Sequence, residues 1–154
     1  MQSMNVWPYT EADFPSVLAV YADAKPAELQ FEPQPPRIVA LDNDPVILAA
    51  LSVLVYDDGA VRGFAATFGG QVRAVFVHAD ARGQGVGTAL MGAIFKDARG
   101  PLSLNVVSSN LQARTFYERL GFAAGAESLR NYNDIDVRYT QMVRTDQLVS
   151  GFQT

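Results

Sequence analysis

Arg82 heads the run Arg-Gly-Gln-Gly-Val-Gly-Thr, in which Gly83, Gly85 and Gly87 take every second position before an apolar pattern of helical spacing. Glycines at a strand-to-helix junction leave successive backbone N–H groups bare. A helix dipole behind those groups and a guanidinium beside them make a nest for a phosphate or pyrophosphate. Three loops of this type can be compared. A Walker loop requires lysine before its serine or threonine, and the chain's two lysines are Lys25 and Lys96. A dinucleotide fingerprint requires a third glycine where Thr88 stands, and a βαβ setting. The pattern Arg-Gly-x-Gly-x-Gly, ahead of a helix, is met in full. Cysteine is absent and His78 is the single histidine. Thiolate chemistry, disulfides and a histidine metal cluster are thereby excluded.

The elements around this loop set its context. Residues 4–9 alternate loosely as a first strand. Thr10 and Asp13 form a helix-start signal, and Phe14, Val17, Leu18 and Tyr21 share one helical face, predicting a helix over 11–24. Four prolines predict an irregular segment over 25–41, with one short helix at 27–31. Pro45 to Leu51 reads as another short helix. Ser52–Asp57, Val61–Phe68 and Gln71–His78 read as strands, joined by turns at Asp58-Gly59 and Gly69-Gly70, the latter as a type I′ turn with both glycines at positive φ. Val86, Leu90, Met91, Ile94 and Phe95 share a helical face, with Gly100 as the expected C-cap. A strand over 101–107 follows. Next come a helix capped by Ser108 or Ser109 and stopped by Gly121, and two strands around a polar turn at 131–136. The middle is an antiparallel meander, which a doubly wound dinucleotide fold would not contain.

The 154 residues, 49% hydrophobic and 18% charged, suit one globular domain over 1–154. The longest apolar run, Val46–Val55, is about half of what a membrane span needs. The first ten residues lack the layout of a signal peptide, so a cytoplasmic protein without membrane contact is expected. A net charge of -4 argues against nucleic acid as the partner and is compatible with a cationic substrate.

The segment Val72–Met91 resembles motif A of the GNAT superfamily of N-acetyltransferases. Asn110–Phe122 resembles its motif B, with Asn110, Ala113, Phe116, Tyr117, Gly121 and Phe122 all matching. The order of motifs and strands fits over roughly residues 4–144. Ala79 departs from a common proline, and Val107 and Ser108 from a common Asn-Glu pair. The resemblance implies a mixed α/β (α+β) fold: a mostly antiparallel seven-stranded sheet with about four helices, splayed between strands four and five. It implies acetyl-CoA as donor, held by the backbone of Phe76 and Val77, by Arg82, Gly83, Gln84, Gly85, Val86, Gly87 and Thr88, and by Asn110, Ala113 and Phe116.

It also implies Tyr117 as the acid that protonates the departing thiolate. A phenol, with an ordinary pKa of about 10, is matched to that task. No carboxylate on the fourth strand offers a base for the attacking amine. Glu32, Phe68, His78, Asn105 and Tyr132 are the candidates for lining the acceptor site, with Trp7 or Tyr9 as a further wall. The acceptor is a small amine or a peptide amino group. The absence of cysteine favours direct attack over a covalent acyl-enzyme. A CoA-binding regulatory module with little turnover is the alternative, and an edge strand near the C-terminus leaves room for a homodimer.

Overall fold

The computed structural model describes residues 5–44, 50 and 52–145. Seven strands form one sheet: β1 (Val6–Pro8), β2 (Ser52–Asp57), β3 (Val61–Phe68), β4 (Gln71–Val77), β5 (Leu102–Val107), β6 (Ala123–Tyr132) and β7 (Ile135–Arg144), in the order β1-β2-β3-β4-β5-β7-β6. All neighbours run antiparallel except β4 and β5. Three α-helices accompany the sheet among the described residues: α1 (Phe14–Glu28), α2 (Val86–Asp97) and α3 (Leu111–Arg119). The fourth helix expected at Pro45–Leu51 falls almost wholly outside the described residues.

The period of two along the strands sorts the core into two layers. Phe64, Ala66, Ala74 and Phe76 turn to α1, where they meet Val17, Val20, Tyr21 and Ala24. Ala65, Val72, Leu104, Val106 and Met142 turn to the other face, against Leu90, Met91 and Ile94 of α2. Arg144 joins the second layer together. Its Nε donates to the Leu120 carbonyl at the end of α3, at 2.7 Å, and its guanidinium lies 3.9 Å from the Phe95 ring centroid on α2.

Several local expectations change. α1 does not stop at Ala24; it runs through Lys25 and Pro26 to Glu28, and no separate helix forms at 27–31. A proline inside a helix forfeits one hydrogen bond and crowds the preceding turn. Here one local and two tertiary contacts offset that cost: Lys25 is buried, with its Nζ 2.7 Å from Glu28 Oε1 on its own helix and the rings of Phe76 and Tyr132 beside it. At the β3–β4 turn only Gly69 has positive φ, so the turn is not type I′. Gly70 is needed for a different reason, since a Cβ there would lie 3.0 Å from the Pro101 carbonyl oxygen.

β4 ends at Val77, because the His78 side chain accepts from Asp80 N–H and caps a short 3-10 turn over Ala79–Ala81. α2 closes at Ala98, not Gly100. Asn110 caps α3 in place of the two serines, its Oδ1 accepting from the Ala113 N–H at 3.3 Å. The last hairpin turns on Asn133 and Asp134 alone, both at positive φ.

Gly63 is the tightest point between the sheet and α2. A Cβ there would stand 2.7 Å from the Phe76 carbonyl oxygen and 3.0 Å from Val86 Cγ1. Gly63→Ala is therefore expected to destabilise the fold by about 1–3 kcal/mol. In urea unfolding the midpoint should fall with an unchanged slope.

Candidate active site

β4 and β5 pair at only two positions, Gln71↔Ser103 and Val72↔Leu104. The cause lies in the neighbouring pair. Ala66 faces Ala74 and Thr67 faces Val72, which makes Arg73 an extra residue in β4. Such a bulge bends its strand and raises its twist. Beyond it β4 follows β3 and leaves β5, opening a cavity of about 480 Å³ between the two.

The wall of that cavity includes a strand edge without a ladder partner. The His78 N–H donates to the Arg62 carbonyl on β3 at 2.8 Å. Alternation along an antiparallel pair then turns the N–H and C=O of Phe76 to β3 as well, and those of Val75 and Val77 into the gap. Arg82 Nε donates to the Val77 carbonyl at 3.3 Å, in keeping with this orientation. Of the expected backbone pair Phe76 and Val77, Phe76 is thus engaged within the sheet. Val75 takes its place, a residue the sequence pattern alone did not single out.

The glycine loop forms one end of the same cavity. Gly83 and Gly85 have φ of +77° and +82°, and Gly85 is the N-cap of α2. These two glycines serve the left-handed backbone that precedes the helix. Gly87, inside the first turn, serves contact: a Cβ there would stand 3.2 Å from Phe116 Cζ. Arg82, Gly83, Gly85, Val86, Gly87 and Thr88 line the cavity, and Asn110, Ala113, Phe116 and Tyr117 line it from the α3 side. Gln84 does not line it; its Nε2 donates to the Asp80 carbonyl at 3.2 Å and closes the loop on itself.

Tyr117 stacks edge-on against Phe116 and Phe122, with centroids at 5.1 and 5.7 Å. Burial, reinforced by the negative charge of Glu28, pushes its phenol well above the ordinary tyrosine value. The same two causes push Tyr139 up to about 12. Tyr117 is therefore a neutral phenol throughout the working pH range. Glu28 lines the cavity too, and no other carboxylate does among the described residues. It escaped the sequence reading because Pro26 hid the last turn of α1. Burial pulls the Lys25 ammonium down, but the charges of Glu28 and Asp44 outweigh it and its pKa rises.

The expected acceptor residues disperse. Asn105 lines the cavity from β5. Glu32 accepts from Ser109 Oγ and lines a separate hollow with Asn131, Asp134 and Asp136. Phe68 is 42% exposed at the end of β3, under the Arg73 guanidinium at 4.7 Å. His78 does not line the cavity; it caps its turn and sits 3.7 Å from Asp23 of α1. Tyr132 is a prop: its hydroxyl accepts from the Val39 N–H at 2.9 Å and its ring flanks Lys25. Trp7 and Tyr9 lie by the β1 edge, away from the gap. Among the described residues no cluster of acids and histidine could hold a metal ion, and no helix is long and apolar enough to cross a membrane.

A family model for the acetyltransferase (GNAT) family matches residues 4–122. The chain belongs to the GNAT acetyltransferase family. Over 80 residues it is 38% identical to the peptidyl-lysine N-acetyltransferase YjaB of Salmonella typhimurium, a match spanning 52% of this chain and about half, 54%, of that relative. A GCN5-related N-acetyltransferase from Rhodopseudomonas palustris superposes with a TM-score of 0.73 at 20% identity, covering 94% of this chain and 98% of its own. YncA from Salmonella typhimurium, solved with its cofactor acetyl-CoA, gives 0.68 at 22% identity, with 94% of each chain covered. These likenesses carry the fold: a GNAT sheet with its parallel, splayed β4–β5 pair.

The raised phenol of this GNAT protein can be checked directly. Up to about pH 11, by which point an ordinary tyrosine with a pKa of about 10 is mostly ionised, Tyr117→Phe and wild type should give superimposable phenolate absorbance curves. A missing increment in the variant would show that Tyr117 titrates normally.

Proposed function

We propose that this GNAT member is an N-acetyltransferase that moves the acetyl group of acetyl-CoA to a primary amine by direct attack, within one domain. The observation that carries this reading is the gap opened by the Arg73 bulge, with a glycine nest at one end and Tyr117 on its wall.

The residues present fit the donor. A pyrophosphate needs several converging N–H groups and a cation. The left-handed backbone at Gly83 and Gly85, the start of α2 and Arg82 supply them, with the Thr88 hydroxyl in the first turn. A pantetheine arm carries amides, and the free edge at Val75 and Val77 offers them strand-like hydrogen bonds. Asn110, Ala113 and Phe116 form the opposite wall. When bound, the donor supplies a thioester, whose carbonyl carbon is open to an amine and whose sulfur leaves as a thiolate.

Tyr117 holds the proton that this sulfur needs. A raised phenol pKa would by itself make the transfer uphill. The same burial that disfavours the phenolate also disfavours a thiolate in the cleft, so the two basicities rise together and stay near matched. Asn105, which lines the cavity from β5, is the candidate to meet the acceptor. An acceptor that is a small amine or a peptide amino group is compatible with direct attack and with the net charge of -4.

Calorimetric titration with acetyl-CoA and a thiol-release assay over an amine panel test this reading. Tyr117→Phe should lower kcat by about 10²–10⁴-fold, the usual weight of a positioned acid, with the acetyl-CoA Kd within about twofold of wild type. Arg82→Gln should weaken CoA and leave pantetheine, which lacks the pyrophosphate, unaffected. Binding without transfer to any amine would instead make the protein a CoA-binding regulatory module.

A further inference from the structure

An amine acceptor reaches the site mostly as an ammonium, since aliphatic amines have pKa values of about 10. Something must take a proton before the nitrogen can attack. The cavity wall contains a single acid among the described residues, Glu28, at the end of α1. Its side chain is 22% exposed, so it can be reached from the cavity. Lys25 Nζ donates to both its oxygens, at 2.7 and 3.3 Å. Lys25 is itself confined, 5.7 Å from the Phe76 centroid and 5.0 Å from that of Tyr132. Glu28 is thus a carboxylate on a fixed mount, facing the same cavity as Tyr117.

We propose that Glu28 takes the proton shed by the incoming ammonium, and that Lys25 is the positioning residue that holds Glu28 in place for it. The inference rests on the acetyl-transfer reading above. Glu28 removes one proton from the ammonium, freeing the nitrogen lone pair for the thioester carbonyl carbon. A C–N bond forms and the C–S bond breaks. Tyr117 gives its proton to the sulfur and regains one from the acylated nitrogen. Glu28 passes its proton to solvent, so one proton is released per turnover. Carboxylate and ammonium neutralise each other in a partly dry cleft, which favours the transfer over the same exchange in water. The carboxylate thereby favours a cationic amine as acceptor. The groups around Glu28 that bear on its charge are Lys25 on its own helix, Tyr117 on α3 and Tyr139 on β7, with Arg73 of β4 on the same cavity wall.

The test compares wild type and Glu28→Gln, with acetyl-CoA and the best acceptor from the amine panel, across pH. Glu28→Gln should lose about 10²–10³-fold in kcat/KM near pH 7, and less than about tenfold near pH 10, where the amine deprotonates unaided. Its acetyl-CoA Kd should match wild type, which also reports an intact fold. If Glu28→Gln does not fold, Glu28→Asp carries the same comparison with a smaller loss. Lys25→Met should lower kcat about tenfold near pH 7 with the acetyl-CoA Kd unchanged, because the carboxylate loses the donor that fixes it, while Lys25→Arg should restore most of that loss. A wild-type-like Glu28→Gln, or an equal loss at both pH values, overturns the role of Glu28. A wild-type kcat in Lys25→Met, or no rescue by Lys25→Arg, overturns that of Lys25. A wild type that binds acetyl-CoA but acetylates no amine overturns the parent reading, and this one with it.

Discussion

One extra residue in β4 governs the rest of the molecule. A sheet with continuous pairing would bring β5 alongside β4 over its full length and close the gap. Arg73 breaks the β3–β4 register, the strand bends, and β4–β5 pairing ends after two rungs. Two backbone edges that would otherwise satisfy each other are left facing a cavity. Edges of this kind are normally a liability. Here they are sheltered inside the fold, between the start of α2 and the wall of α3, where a strand-like ligand arm can complete them.

The glycines divide the labour of building that shelter. Gly83 and Gly85 adopt a backbone that side chains resist, and so aim the loop. Gly87 and Gly63 are there for closeness: the first lets Phe116 of α3 approach α2, the second lets α2 sit on the sheet. Replacing either kind would harm the site through a different route, one by strain and the other by displacement.

Polar contacts on the α1 side position the remaining chemistry. Asp23 accepts the Ala79 N–H at 2.8 Å, tying α1 to the corner ahead of the glycine loop. Two residues further on, Lys25 carries the helix past Pro26 through its hold on Glu28 and its seat beside two rings. The last turn of α1 is thus held by a local ion pair together with ring contacts from distant strands, and it brings Glu28 to the cavity wall.

Much of this was legible in the chain itself. Sequence pattern and turn signals located all seven strands and the three helices within a few residues, because burial of one face is written directly into their periods. The loop Arg82–Thr88 and the helix bearing Asn110 and Tyr117 announced the family, since a nest at a helix start and an Asn-capped helix are local devices. What sequence could not decide depends on neighbours distant in the chain. Which backbone groups of β4 face the gap follows from the register with β3, hence Val75 in place of Phe76. Whether a proline ends a helix depends on what its flanks can reach, hence Glu28. Whether a polar residue is free for a ligand depends on its partners, hence Glu32 bound to Ser109 and Tyr132 to Val39. Local propensity and periodicity determined the elements; pairing register and long-range contacts, invisible to any window of sequence, decided which groups meet in the cleft.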